Sequence, residues 1–80
     1  MRDLLEYLVR EISGRKDLEV AEQAEGEVVN LTVHADPSVI GLIIGKQGKT
    51  IRTIRNLVKV RATLEKKAVN VSIEEAANNS

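Results

Sequence analysis

The sequence predicts an α+β fold, with three helices on one face of a three-stranded mixed sheet and the chain order α-β-β-α-α-β. Three observations predict it. Apolar residues recur at helical spacing over residues 2–13. They alternate with polar ones, the mark of half-covered strands, over 18–35 and again over 69–74. Between those strands lie two helical segments separated by Gly45-Lys46-Gln47-Gly48. Eighty residues hold one core and no second domain, so residues 1–75 are expected as a single domain and 76–80 as a flexible tail.

Leu4, Leu5, Leu8, Val9 and Ile12 line one side of the first helix, which runs over residues 2–13 and stops at Ser13-Gly14, a glycine suited to the left-handed cap. Leu18 and Val20 begin a strand, Gln23 to Gly26 reads as a turn, and Val29, Leu31, Val33 and Ala35 alternate with Asn30, Thr32 and His34 in a second strand, the two forming a hairpin. Asp36-Pro37 is a helix start: Asp accepts a backbone N–H as N-cap, and proline at the first helical position gives up a donor that had no partner there. A short apolar helix, Val39 to Ile44, follows. After the glycine-bounded break, Ile51, Ile54, Val58 and Ala62 set a third helix over 49–64, with Leu57 and Leu64 beside that stripe. Val69, Val71 and Ile73 form the last strand. The crossover from Ala35 to Ala68 is long enough to bring it back parallel to the second strand, which is then central.

Twelve basic residues balance twelve acidic ones, but unevenly along the chain. Residues 1–44 hold four basic and nine acidic side chains, a net of −5. Residues 45–67 hold eight basic and one acidic, a net of +7, and Glu74 and Glu75 close the sum. The basic tract points to a polyanion. No cysteine and one histidine, His34, exclude disulfides, thiol chemistry and zinc sites built on thiolates or paired histidines. No cofactor, metal or catalytic residue is expected. His34 reads as an exposed edge residue, and Tyr7 falls off the apolar stripe of the first helix. The opening Met1-Arg2-Asp3-Leu4-Leu5-Glu6 fits neither a signal peptide nor a membrane span, so the expected location is the cytoplasm, without membrane attachment.

The informative stretch is Ile40-Gly41-Leu42-Ile43-Ile44-Gly45-Lys46-Gln47-Gly48-Lys49-Thr50-Ile51. It ends in the Gly-Lys-Thr of a nucleotide-binding P-loop, but Ile43 stands where the leading glycine belongs, and no Asp follows Thr50 to hold magnesium. What does fit is I-G-x-x-I-G-x-x-G-x-x-I set between two helices of an αββααβ chain. That pattern resembles a KH domain of type II, and within it the small single-KH RNA-binding proteins of bacteria, from the first helix to Ile73.

The residues of the loop suit an RNA backbone on their own chemistry. Glycines at 45 and 48 carry no Cβ to hold a sugar-phosphate chain away. Gly48 opens the third helix, whose first N–H groups carry the positive dipole end. Lys46 and Lys49 add charge, and Gln47 can donate or accept. Lys49, Arg52, Arg55 and Lys59 form the basic stripe that continues from the loop along the third helix; Arg61, Lys66 and Lys67 lie farther along. Gly41 is expected to be structural, keeping its helix close to neighbouring elements. Apolar residues nearly all round the second helix leave a remainder suited to self-association or a partner protein.

The resemblance implies a non-catalytic RNA-binding protein that holds about four nucleotides, backbone on Gly45, Lys46, Gln47 and Gly48, bases over an apolar floor. Ile40, Ile44 and Ile51 are the floor candidates, with Leu31 or Val33 opposite. With a single aromatic in the chain, stacking on a sheet surface is excluded. The resemblance further implies an RNA chaperone or post-transcriptional regulator, a homodimer, and a complex with a larger KH-containing RNA-binding protein, KhpB, linked to peptidoglycan synthesis and cell length. The alternative is a dimerisation or adaptor module whose partner holds most of the RNA.

Overall fold

The first helix, α1 (Arg2–Ser13), closes as its glycine demands: Gly14 is left-handed (φ 68°, ψ 13°) and donates its N–H to the Arg10 carbonyl at 2.9 Å. The computed structural model that shows this describes residues 1–76, so most of the expected tail, residues 77–80, lies outside the described residues. Leu5 and Val9 are fully buried, with Leu4 and Leu8 packed against them. Ile12, expected in the same stripe, is 44% exposed, because it sits in the last turn, where the chain is already leaving the core at Gly14.

Strands β1 (Leu18–Glu25) and β2 (Val28–Ala35) pair antiparallel from Leu18 opposite Ala35 to Glu25 opposite Val28. The hairpin turn is therefore only Gly26-Glu27, shorter than the Gln23 to Gly26 expected. Gln23, Ala24 and Glu25 lack apolar alternation because they are exposed on both faces, yet their backbones still pair with β2. Gly26 takes the positive φ (60°) that the first residue of a two-residue II′ turn requires.

The later elements follow the expected order: α2 (Pro37–Ile44), α3 (Lys49–Leu64) and β3 (Ala68–Glu75), the last running parallel to β2 in a sheet of order β1-β2-β3. All three helices lie on one face. Leu18, Val20, Val29, Leu31, Val33 and Ala35 point into it and are buried against Val39 and Ile43 of α2 and Ile51, Ile54 and Val58 of α3. Val69, Val71 and Ile73 point the same way from β3 but are only half-buried, since β3 is an edge. Ala68 and Ala76 donate to Glu27 and Ala35, both at 2.9 Å. Even-numbered residues of β3 thus bond to β2, and the N–H and C=O of Val69, Val71 and Ile73 face the free edge.

The other face of the sheet is uncovered and polar, with Asn30, Thr32 and His34 on β2 beside Asn70, Ser72 and Glu74 on β3. His34 lies on this polar face near the end of the central strand, as its parity predicts, partly rather than fully exposed and level with Glu19 and Glu74, its Nδ1 3.9 Å from Glu74 Oε2. The helix α3 ends with Lys66 left-handed (φ 59°), its N–H on the Thr63 carbonyl at 3.0 Å and that of Lys67 on Ala62 at 2.8 Å, the two-bond closure usually built on glycine. No helix among the described residues is long and apolar enough to cross a membrane.

Candidate nucleic-acid interface

The segment from α2 to α3 is positioned at both ends by local chemistry. Asp36 caps α2, accepting from the Ser38 N–H at 3.3 Å and the Ser38 hydroxyl at 2.8 Å, with Pro37 in the first turn. The helix stops at Gly45, whose N–H reaches the Gly41 carbonyl at 3.0 Å. Gly45 then adopts φ 74°, ψ 178°, a conformation essentially confined to glycine. A Cβ there would stand 2.6 Å from the Thr50 Cβ, so the loop is folded tightly back on the first turn of α3. Lys46 to Gly48 form a single 3-10 turn closed by the Gly48 N–H on the Gly45 carbonyl at 3.2 Å. Gln47 inside it is left-handed (φ 58°, ψ 24°), an uncommon state for a residue other than glycine.

The two loop glycines serve different ends. Gly45 is fixed by the protein's own packing. Gly48 is also left-handed (φ 72°, ψ 15°), but a Cβ on it would meet nothing within 4 Å, so its bare surface faces outward. Lys46, Gln47 and Lys49 are exposed around it. Among the described residues no side chain caps α3 at Gly48, and no acid stands in its first turn to answer the positive dipole end.

Charge pairing sharpens the basic tract. Arg61 is committed to Glu65, Nε to Oε2 at 2.8 Å. The other seven, Lys46, Lys49, Arg52, Arg55, Lys59, Lys66 and Lys67, have no acidic partner among the described residues. Arg52, Arg55 and Lys59 are exposed along α3, and Arg55 Nη2 donates to the Val71 carbonyl at the free edge of β3 at 3.3 Å. Away from the loop, Arg15 grips Asp17 through two hydrogen bonds, which hold the Asp17 carboxyl below its ordinary range and raise the Arg15 guanidinium.

Of the expected floor, Ile40 and Ile44 are half-buried on α2, and Ile51 is nearly covered at 7% exposure. Leu31 and Val33 have no accessible surface, so both belong to the core and neither can touch a base. They sit on the central strand, directly under the helices. The wall opposite α2 and α3 is instead β3, with Val69, Val71 and Ile73. The chain order carried that signal, because the two helices form the crossover that leads into this strand. Gly41 also departs from expectation: a Cβ there would meet nothing within 4 Å. It lies opposite Val39 and Ile43, the buried side of α2, so no neighbouring element constrains it.

Away from the loop, Leu57, Val60 and Leu64 are exposed by 47%, 60% and 76% at i, i+3 and i+7 on α3, and Leu42 of α2 by 50%. Tyr7 is exposed on α1. Among the described residues no group of His, Asp and Glu is placed to hold a metal ion.

The family model for the KH domain of KhpA and KhpB matches residues 2–73. Curated relatives span nearly the same length. RNA-binding protein KhpA of Clostridium perfringens is 34% identical over 74 residues, covering 91% of this chain and 99% of the relative. The protein of that name from Chlamydia caviae is 35% identical over 78 residues, 94% of this chain and 97% of the relative. That from Halalkalibacterium halodurans is 30% identical over 74 residues, 91% and 97% respectively.

Proposed function

The chain belongs to the KhpA/KhpB KH-domain family, and from that premise we propose that it is a non-catalytic protein that binds single-stranded RNA through the loop Gly45-Lys46-Gln47-Gly48. The observation that carries this reading is the loop itself: an outward glycine at an uncapped helix start, ringed by Lys46, Gln47 and Lys49. Lys49, Arg52, Arg55 and Lys59 would extend the backbone track. Ile40 and Ile44, with the rim of Ile51 and the β3 wall, would form the apolar groove for about four nucleotides. On this reading the protein works in the cytoplasm as an RNA chaperone or post-transcriptional regulator, as a homodimer and together with KhpB, in control of peptidoglycan synthesis and cell length. A single weak grip gains affinity when two are linked.

The exposed Leu57, Val60 and Leu64 favour a second reading, in which the domain is chiefly a dimerisation or adaptor module and its partner holds most of the RNA. Placing Asp at both Lys46 and Gln47 separates the two. The fold survives, because both side chains are exposed and Asp tolerates the left-handed state of residue 47. RNA binding by the isolated chain is expected to vanish; unchanged affinity in the folded variant refutes the loop as the grip. Binding should also weaken with salt at a log-log slope of about −0.7 per neutralised phosphate. Arg61→Ala, whose guanidinium is already held by Glu65, should leave that slope nearer its starting value than Arg55→Ala does.

A further inference from the structure

Strand β1 is the other edge of the sheet, with β2 between it and β3. The bonds from Ala68 and Ala76 to the Glu27 and Ala35 carbonyls turn the odd-numbered backbone groups of β2 toward β3. Its even-numbered groups therefore face β1 and bond to odd-numbered residues there, from Glu19 opposite His34 to Glu25 opposite Val28. The N–H and C=O of Val20, Glu22 and Ala24 are left pointing outward, and no backbone bond from another element among the described residues reaches them. Leu18 and Val20 are buried under the helices, but Ala21 to Glu25 are exposed, so nothing packed on that half of the strand bars an added one.

The strand carries three carboxylates and no cation. Glu19 and Glu25 lie on the open face, Glu22 on the helix side, and Glu27 follows in the turn. None of the four has a cationic partner among the described residues. That row decides what the backbone can accept. A second copy paired antiparallel about Glu22 would set Glu19 against Glu25 and Glu22 against itself, so like charges oppose it. RNA phosphates are repelled by the same groups. An extended segment bearing Lys or Arg satisfies both the backbone and the charge.

We propose that the free edge of β1, from Val20 to Glu25, is a docking site for a cationic extended segment of another protein, which joins the sheet as a fourth strand. Backbone bonds to Glu22 and Ala24 hold the segment, and Glu19, Glu22 and Glu25 select it by its lysines or arginines. The site lies at the edge opposite the groove, so it stands independently of the RNA reading, and both can be filled at once.

The test titrates an alternating lysine–valine octapeptide, and its glutamate–valine counterpart, into the full chain while backbone amide exchange is followed by NMR. The expected result is binding of the lysine peptide alone, with slowed exchange at the Glu22 and Ala24 N–H. Ala24→Pro removes an outward donor that the fold does not use, a change an edge strand tolerates, and should abolish this binding. Glu19→Gln, Glu22→Gln and Glu25→Gln together, all at exposed positions, should weaken it about tenfold. Circular dichroism verifies the fold of both variants, and the Gln variant decides alone if the proline variant unfolds. Equal binding of the two peptides, binding that neither variant reduces, or no binding of the lysine peptide overturns the site. Protection of the same amides that grows with protein concentration alone assigns the edge to copies of the chain, and protection on adding oligo(U) assigns it to RNA; either overturns the proposal.

Discussion

Replacing Gly45 or Gly48 with alanine adds one methyl group at positions three residues apart, both with φ above 70°. The backbone penalty for a side chain is about 1–2 kcal/mol at Gly48, which is in the ordinary left-handed region, and about 1–3 kcal/mol, toward the upper end, at Gly45, whose ψ of 178° puts it in a region essentially confined to glycine. Only at Gly45 does the new Cβ meet the protein, 2.6 Å from the Thr50 Cβ. Forcing apart a contact of that kind costs about a further 1–3 kcal/mol. Because Thr50 lies in the first turn of α3, relief requires moving the helix start, and trimming to Thr50→Ala keeps the offending Cβ. A chain of this length has about 4–12 kcal/mol in all, at about 0.05–0.15 kcal/mol per residue. Gly45→Ala thus removes a large fraction of the stability and Gly48→Ala a smaller one. Urea denaturation of the two variants measures the difference, in which the clash and the harsher backbone of position 45 add, and should return at least about 1–3 kcal/mol. In RNA binding the order reverses per unit of stability lost: Gly48→Ala stays folded and loses affinity, because its methyl projects where the protein leaves space. Equal destabilisation by the two substitutions would refute the division of roles.

Two further outcomes follow from groups outside the interface. Lys66→Gly should stabilise the fold by about 1 kcal/mol, because Lys66 sits left-handed at the end of α3 where glycine carries no penalty; an unchanged or lower urea midpoint would refute this. Asp17, lowered by the Arg15 hydrogen bonds, should titrate below the ordinary value of about 3.9 in a carbon-detected NMR titration, and Arg15→Ala should return it. The sign follows from linkage: a depressed carboxyl contributes stability above its unfolded pKa and loses it as pH falls through the folded one, so the contribution disappears on the acid side only. An Asp17 titration indifferent to Arg15 would count against the pair.

Much of this fold was legible because its elements carry their own punctuation. Gly14, Asp36-Pro37 and the two loop glycines mark the end of α1, both ends of α2 and the start of α3 chemically, and the end of α1 at Ser13 and the start of α3 at Lys49 follow from them. What stayed hidden depended on partners distant in sequence. Gln23 to Glu25 look like a turn because nothing packs on them, and only pairing with β2 makes them strand. Leu31 and Val33 resemble Val71 and Ile73 in pattern, yet the first pair lies on the covered central strand and the second on an edge. Gly41 has the look of a packing glycine, while its surroundings are open. For the candidate site, the loop could be read from residue types alone. Its far wall, and the commitment of Arg61 to Glu65 while the other seven cations of the tract lack an acidic partner among the described residues, required the third dimension.

The pairing of β3 with β2 also orders events in time. The hairpin of β1 and β2 closes across two residues, whereas Asn30 meets Asn70 forty positions later in the chain. Contacts so far apart form slowly, because a long loop must close before they repay its entropy. The loop, α2 and α3 all lie inside that closure, so the groove acquires its second wall only when the C-terminal strand docks. During synthesis from the N-terminus, the groove proposed for RNA is therefore completed only after β3 has emerged and docked.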